Sequence, residues 1–141
     1  MAAFNIQSDS NNSVSSLKNL YLFLNDFKNF HQILPHDKVE NFVYSEQECS
    51  FSIKGITPMR ITRHAETPFS QIVFKSEGLA KFNFTLIASF IGEPDLPGQC
   101  QIELNGDLNP FILAMAEKSL KALVNTMSQK LAQLNLSNHE N

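Results

Sequence analysis

The residues that could support acid–base or metal chemistry are dispersed along this sequence. His31, His36 and His64 do not have the spacing of a metal site, and the chain contains no GxSxG, GxGxxG, HExxH or phosphate-binding loop. Glu103 and Asp107 fall on the polar face of a predicted strand, an exposed setting that would not tune the pKa of a general acid or base. The sequence therefore predicts no catalytic residue, no metal site and no cofactor.

Arg63 is the polar side chain best placed to meet a ligand. It follows Met59 and Ile61 at alternate positions, so a strand would place all three on one face, with Arg60 and His64 on the other. A guanidinium group pairs with a carboxylate through two hydrogen bonds, and an inward Arg63 could therefore receive an anionic headgroup. The alternative is that Arg63 is solvated at the end of its strand.

The two cysteines, Cys49 and Cys100, are far apart in the sequence and belong to no CxxC motif. Both occupy apolar positions in alternating segments, and this favours buried free thiols that pack as small hydrophobic groups. The cysteines therefore indicate neither a zinc site nor a redox site.

Size and composition limit the class of protein. A chain of 141 residues suits one domain, residues 1–141, and its 43% apolar content argues against disorder. The net charge is −3 and the basic residues are scattered, which argues against a nucleic-acid partner. No apolar run approaches the ~18 residues of a membrane span. The N-terminus has no secretory signal pattern, so we expect a cytoplasmic protein.

The hydrophobic periodicity predicts an α+β domain. After a short first strand, apolar residues recur at helical spacing from Val14 to Leu34, with Ser13 as N-cap, and two short helices are expected before Pro35. Strand-like alternation then continues to Leu108. Including the first strand, about seven strands are predicted, the later ones at residues 39–45, 49–54, 56–64, 69–75, 82–91 and 99–108.

One long amphipathic helix follows the strands. Asn109 and Pro110 form a helix start, in which asparagine caps and proline occupies the first turn. Apolar residues then recur at helical spacing as far as Leu134, a span of roughly 37 Å. Residues 136–141 are expected to be a frayed tail.

The order of these elements predicts a cavity. Short connections imply that consecutive strands pair in one antiparallel sheet, which curls and exposes a concave apolar face. The long helix is the element expected to cover that face, and the space between them is a natural ligand cavity. The residues predicted to line it, from concave strand positions or the flank of the helix, are Phe51, Met59, Arg63, Phe82, Phe84, Ile112 and Met115.

This layout and four local segments resemble the START-like superfamily, also called SRPBCC or polyketide-cyclase-like. The segments are 24–27, 33–39, 49–55 and 107–110, and they look like a subgroup of small bacterial single-domain members. The resemblance covers nearly the whole chain. It implies a helix-grip fold, in which a curved antiparallel sheet wraps around a long C-terminal helix. It also implies a cavity for lipids, sterols, polyketides or other hydrophobic molecules.

Three functions are compatible with these features. The leading hypothesis is a domain that binds a small hydrophobic molecule of lipid, polyketide or aromatic type without transforming it, since no catalytic constellation is visible. The alternative is a polyketide cyclase-type enzyme, in which Arg63 or Tyr44 orients the substrate. The third is a protein-interaction module that uses its surface. Exposure of Leu136 or of the Ile112 face of the long helix would support a homodimer.

Overall fold

A computed structural model describes residues 2–53, 58–76 and 83–136 and confirms the α+β helix-grip architecture. Phe82 and residues 137–141, for which the sequence made predictions, lie outside the described residues. The described strands are β1 (Ala2–Gln7), β2 (Asn11–Asn12), β3 (Val39–Tyr44), β4 (Glu48–Ile53), β5 (Pro58–Thr67), β6 (Gln71–Ser76), β7 (Asn83–Ile91) and β8 (Gln99–Leu108). The helices are α1 (Leu17–Leu24), a 3-10 helix (Phe27–Ile33) and α2 (Pro110–Gln133).

The strands form one antiparallel sheet in the order β1-β8-β7-β6-β5-β4-β3. Consecutive strands pair from β3 to β8, as their short connections require. The first strand, β1, closes the far side of β8, and the two-residue β2 pairs with the beginning of β8. The predicted sheet is thus confirmed. The sequence did not predict β2, which consists of two polar residues.

Two short helices connect β2 and β3, and their N-caps explain their boundaries. Ser16, rather than the predicted Ser13, caps α1, because its Oγ accepts a hydrogen bond from the N–H of Asn19 (3.3 Å). Ser13 instead binds the loop before β8, where its Oγ accepts from the N–H of Gly98 (2.9 Å). Asp26 caps the 3-10 helix through Lys28 N (3.1 Å).

Helix α2 begins as predicted, with Asn109 Oδ1 accepting from Phe111 N (2.8 Å). It packs against β8, β1, β2 and the 3-10 helix. Its burial is uneven along its length, since Ala116 is the one buried residue before Leu120 and the others all lie between Leu120 and Ala132. The first turns of α2 are therefore held by much less apolar contact than the rest. No helix of the described chain is long and apolar enough to cross a membrane.

The segment that follows α2 is anchored, which corrects the expected start of the tail. Leu136 is buried, and its N–H donates to Ser15 Oγ (2.7 Å), whose hydroxyl donates to Leu134 O (2.7 Å). Val14 N also donates to Ala132 O (2.8 Å). Leu136 is therefore a core residue, and it can form neither a frayed end nor an exposed dimer face.

Candidate functional site

Phe51 and Met59 lie on the concave face of the sheet, paired across β4 and β5. They are 2% and 0% exposed, so water reaches almost none of their surface. Protein atoms enclose both in this structure. Their contact with a ligand stays a prediction, and it would require the core to open beside them.

An aromatic cluster joins the 3-10 helix to the same face. The ring of Phe30 lies 6.4 Å from that of Phe51 and meets Phe74 edge-on at 5.4 Å. Phe27 lies 5.8 Å from Phe74. All four rings are buried. The 3-10 helix thus covers part of the concave face that the sequence analysis assigned to α2 alone.

An open cavity of about 480 Å³ lies at the end of the sheet where β8 leads into α2. Its walls come from the ends of β1, β6, β7 and β8, with Phe4 and Phe84 among the apolar side chains and Lys75 and Asn83 among the polar ones. Phe84 is only 3% exposed. Of the residues that were predicted to line the ligand cavity and that the structure describes, Phe84 alone borders this cavity. The strand-end cavity is an open space at the end of the sheet, and its lining residues all belong to strands.

Gly106 shapes the strand-end cavity through the absence of a side chain. A Cβ at this position would lie 2.5 Å from the carbonyl oxygen of Asn83 and 3.0 Å from the Phe4 ring. Such distances exclude a larger residue unless the neighbours move. The sequence suggested either a bulge or a close approach at Gly106; the pairing of β7 with β8 runs through it without a break, so the close approach is the observed arrangement.

Ile112 and Met115 do not line an enclosed space, contrary to the prediction. They are 43% and 80% exposed, and Phe111 beside them is 81% exposed. The buried positions Ala116, Leu120 and Leu123 turn toward the sheet, and at ~100° per residue Met115 points away from that direction. The flank of the helix thus faces outward at this end.

Arg63 shares the inner face with Met59 and Ile61, as predicted, but its nitrogens are already engaged. Nε donates to the main-chain and side-chain oxygens of Asn25 (both 3.0 Å), Nη1 donates to Glu46 O (2.8 Å) and Nη2 also donates to Asn25 O. The guanidinium carbon lies 4.3 Å from the centroid of the Phe27 ring. The half-buried Arg63 is therefore held by protein oxygens and ties β5 to the junction of the two short helices, while its contact with an anionic headgroup stays a prediction.

The interior carries no charge at neutral pH among the described residues. Its buried polar side chains are serines, together with two thiols and one phenol. Burial raises the pKa of Cys49 to about 12 and that of Cys100 to about 11, so both are neutral thiols. Burial, with a contribution from the negative charge of Glu66, also raises the pKa of Tyr21, whose hydroxyl has no hydrogen-bond partner within the described residues.

The remaining candidates for chemistry lie on the surface. Tyr44 is 54% exposed on the edge strand β3 and cannot orient a molecule held in the interior. His31 and His36 are exposed and stack with ring centroids 4.5 Å apart, while a ring nitrogen of His36 lies 2.9 Å from His31 O. Across the described ranges, no three histidine, cysteine or acidic side chains come together in a way that could hold a metal ion.

A second cavity, of about 630 Å³, was not anticipated from the sequence. It is a groove between the α1/3-10 pair and the segment after α2, lined by residues such as Leu22, Phe23, Asn29 and Gln32. The sequence between Asn19 and Gln32 mixes carboxamides with apolar residues such as Leu22 and Phe23, and this local pattern does not indicate a groove.

Neither a family model nor a curated protein matches the chain. Solved structures do match. StfQ, a di-domain ARO/CYC from the steffimycin biosynthetic pathway, superposes with a TM-score of 0.65 at 15% identity over 92% of this chain, which spans 49% of that protein. A START superfamily protein from Mycobacterium smegmatis gives 0.62 at 12% identity, covering 91% and 94% of the two chains. Norcoclaurine synthase from Thalictrum flavum gives 0.64 at 7% identity, covering 93% and 85%.

These likenesses establish the fold of the molecule. The chain has the helix-grip fold of START-like proteins, as the four local segments indicated. Identities this low carry the architecture alone, because one fold serves many unrelated functions.

Proposed function

We propose that the protein binds a small hydrophobic molecule of lipid, polyketide or aromatic type between the sheet and α2, without transforming it. The observation that carries the proposal is the strand-end cavity, which borders the otherwise buried Phe84 near the start of β7. A molecule that enters there would meet the apolar face of the sheet. The START-like fold supports the same location.

The chemistry of the interior supports binding rather than catalysis. A general acid or base needs a titratable group near the working pH, whereas the buried thiols Cys49 and Cys100 stay protonated far above it. Arg63, the residue proposed to orient a substrate, already uses its nitrogens on Asn25 and Glu46. The cyclase-type alternative therefore has no observation in its favour and stays a prediction.

The closed packing around Phe51 and Met59 requires part of the molecule to move when a ligand enters. The first turns of α2 are the natural moving part, because Ala116 is their one buried residue while the turns after Leu120 are firmly packed. Local opening occurs most readily where few apolar contacts are lost. We expect the ligand to displace this part of α2 and to leave the remainder in place.

A thermal-shift panel tests the proposal. The chain has no tryptophan, so unfolding is best followed by circular dichroism at 222 nm. Dodecanoate, 2-naphthol and emodin represent the lipid, aromatic and polyketide types. A probe at 100 times its Kd should stabilise the protein by about 2.7 kcal/mol, a measurable increase in Tm. If no probe raises Tm and native mass spectrometry shows only the bare chain, the proposal is wrong.

Two matched variants test where the ligand binds. Phe84 and Phe90 lie on the same face of β7 and are both 3% exposed, but Phe90 lies at the other end of the strand, where its ring is 6.0 Å from that of Tyr21. Both Phe84→Leu and Phe90→Leu should lower Tm in the absence of ligand. The Tm increase caused by the ligand should shrink in Phe84→Leu and persist in Phe90→Leu. The reverse pattern would move the site to the α1 end of the sheet.

A further inference from the structure

Phe84, Gly106 and Phe4 form one row across the strand-end cavity. Gly106 is the register partner of Phe84 on β7 and of Phe4 on β1, and paired residues of neighbouring strands point to the same face of a sheet. Phe84 shares its face with the buried Leu86 and Ala88, so the whole row belongs to the inner face. All three residues of the row line the cavity. The row is therefore where the strand-end cavity borders the inner face of the sheet.

The middle of this row has no side chain, and the Phe4 ring covers it. Two atoms of the ring, Cζ and Cε1, lie 3.0 and 3.1 Å from the point that a Cβ of residue 106 would occupy. Phe4 is half-buried and packs against the core, while Phe84, on the other side of the glycine, is buried. A phenyl ring thus fills the gap that Gly106 leaves beside Phe84.

Of the two rings, that of Phe4 is the easier to move. Phe4 belongs to β1, the edge strand on this side of the sheet, whereas Phe84 lies on β7 between β6 and β8. A half-buried side chain also exposes less apolar surface than a buried one when it turns toward water. The position of the Phe4 ring therefore determines how much of the row is open to a bound molecule.

We propose that Phe4 sets the size of the hydrophobic molecule that the strand-end cavity admits. This inference rests on the proposed function, because it assigns a specificity-determining residue to the same ligand. Without the Phe4 ring, Gly106 and Phe84 would offer an apolar surface for one additional ring of the ligand. Apolar space left by a lost side chain can hold an apolar molecule of matching size. Phe4→Ala should therefore favour larger ligands, whereas truncation of a residue that only contacts the ligand would weaken ligands of every size.

Two compounds that differ by one fused ring measure this selectivity. 2-Naphthol and 9-phenanthrol each carry one hydroxyl on a flat aromatic skeleton, and 9-phenanthrol has one more ring. The chain has no tryptophan, so the fluorescence of each compound reports its own binding to the full-length protein. Phe4→Ala should shift the ratio of the two Kd values toward 9-phenanthrol by at least about tenfold, since one added group in an apolar pocket can change affinity by that factor.

Two further variants complete the test. Phe23→Ala is the matched control, because Phe23 is also a half-buried phenylalanine packed against the core but lines the groove between α1 and the segment after α2. It should leave the ratio of the two Kd values unchanged. Phe4→Leu keeps an apolar side chain at position 4, so it should fold even if Phe4→Ala does not, and it should shift the ratio in the same direction by a smaller factor.

The outcomes separate this inference from the proposed function. If both Phe4 variants weaken the two compounds equally, or if Phe23→Ala shifts the ratio as much, the inference is wrong while binding itself stands. If neither compound binds to any of these proteins, the inference is also wrong. Dodecanoate then decides the wider question, because its binding would leave the proposed function standing and its failure to bind would remove both.

Discussion

Arg63 has a structural role in the fold, although its position in the sequence suggested that it contacts a ligand. The alternation with Met59 and Ile61 correctly placed it on the inner face of β5. Its partners are the oxygens of Asn25 and Glu46 and the ring of Phe27, which come from segments distant in sequence. The planar guanidinium group serves all of these contacts at once, which an ammonium group cannot do.

Substitution of Arg63 tests this structural role. Arg63→Lys keeps the charge and loses the forked geometry, so we expect the free energy of unfolding to fall by about 1–3 kcal/mol. The measurement is urea unfolding followed by circular dichroism. Arg60→Lys is the control on the same strand, because Arg60 also forms a bidentate pair, with Glu48, but its side chain is 52% exposed and solvent screening makes the expected loss smaller. Equal losses in the two variants would mean that the Arg63 contacts are not specific.

At the scale of the element, helix α2 is continuous, but its two parts differ in how much apolar surface they bury. The region from Leu120 to Ala132 is packed against the sheet and the 3-10 helix. In this region the Ser128 hydroxyl donates hydrogen bonds to the β1–β2 connection and to β8. The region before Leu120 exposes Phe111 and Met115. A helix whose apolar stripe weakens toward one end is suited to open from that end.

Hydrogen exchange tests whether the beginning of α2 opens more readily than the part after Leu120. The amides of residues 114–118 should exchange at least about tenfold faster than those of residues 124–131, although both sets lie inside the helix, because opening the first set exposes little apolar surface. Mass spectrometry of peptides from the two regions gives the comparison. Uniform protection along α2 would contradict both this prediction and the proposed route of ligand entry.

At the scale of the whole molecule, three apolar residues face outward at the start of α2. They are Phe111, Ile112 and Met115, while Leu136, the other residue predicted to support a homodimer, lies in the core. Neighbouring exposed apolar residues of this kind are found at contact surfaces.

Light scattering at increasing concentration tests for the homodimer. We expect the mass to rise above the 15.9 kDa of one chain, and Phe111→Ser/Met115→Ser to restore the monomer, because that substitution removes apolar surface that association would bury. Val43→Ser removes another exposed apolar residue, 63% exposed, from edge strand β3 and should have no effect. A mass that stays at one chain at every concentration would contradict the homodimer.

Much of the fold follows from local patterns. The alternation of Phe84, Leu86 and Ala88 determines which face of β7 is buried, and Asn109 with Pro110 determines where α2 begins. The sequence predicted that Phe84 lines a ligand cavity; Phe84 borders the strand-end cavity, and its contact with a ligand stays a prediction. The sequence placed Ile112 and Met115 wrongly, because Met115 points away from the buried stripe of the helix and Ile112 precedes its first buried residue, Ala116.

The sequence by itself therefore determined the order of the elements, their apolar faces and the neutral, thiol-containing interior, because periodicity and residue type act over a few neighbouring positions. Only the tertiary structure decided that the 3-10 helix packs on the concave face of the sheet together with α2. It also decided that Arg63 donates hydrogen bonds to Asn25 and Glu46, and that a groove forms between α1 and the segment after α2. Each of these depends on contacts between residues far apart in the chain, whose distances no local pattern specifies.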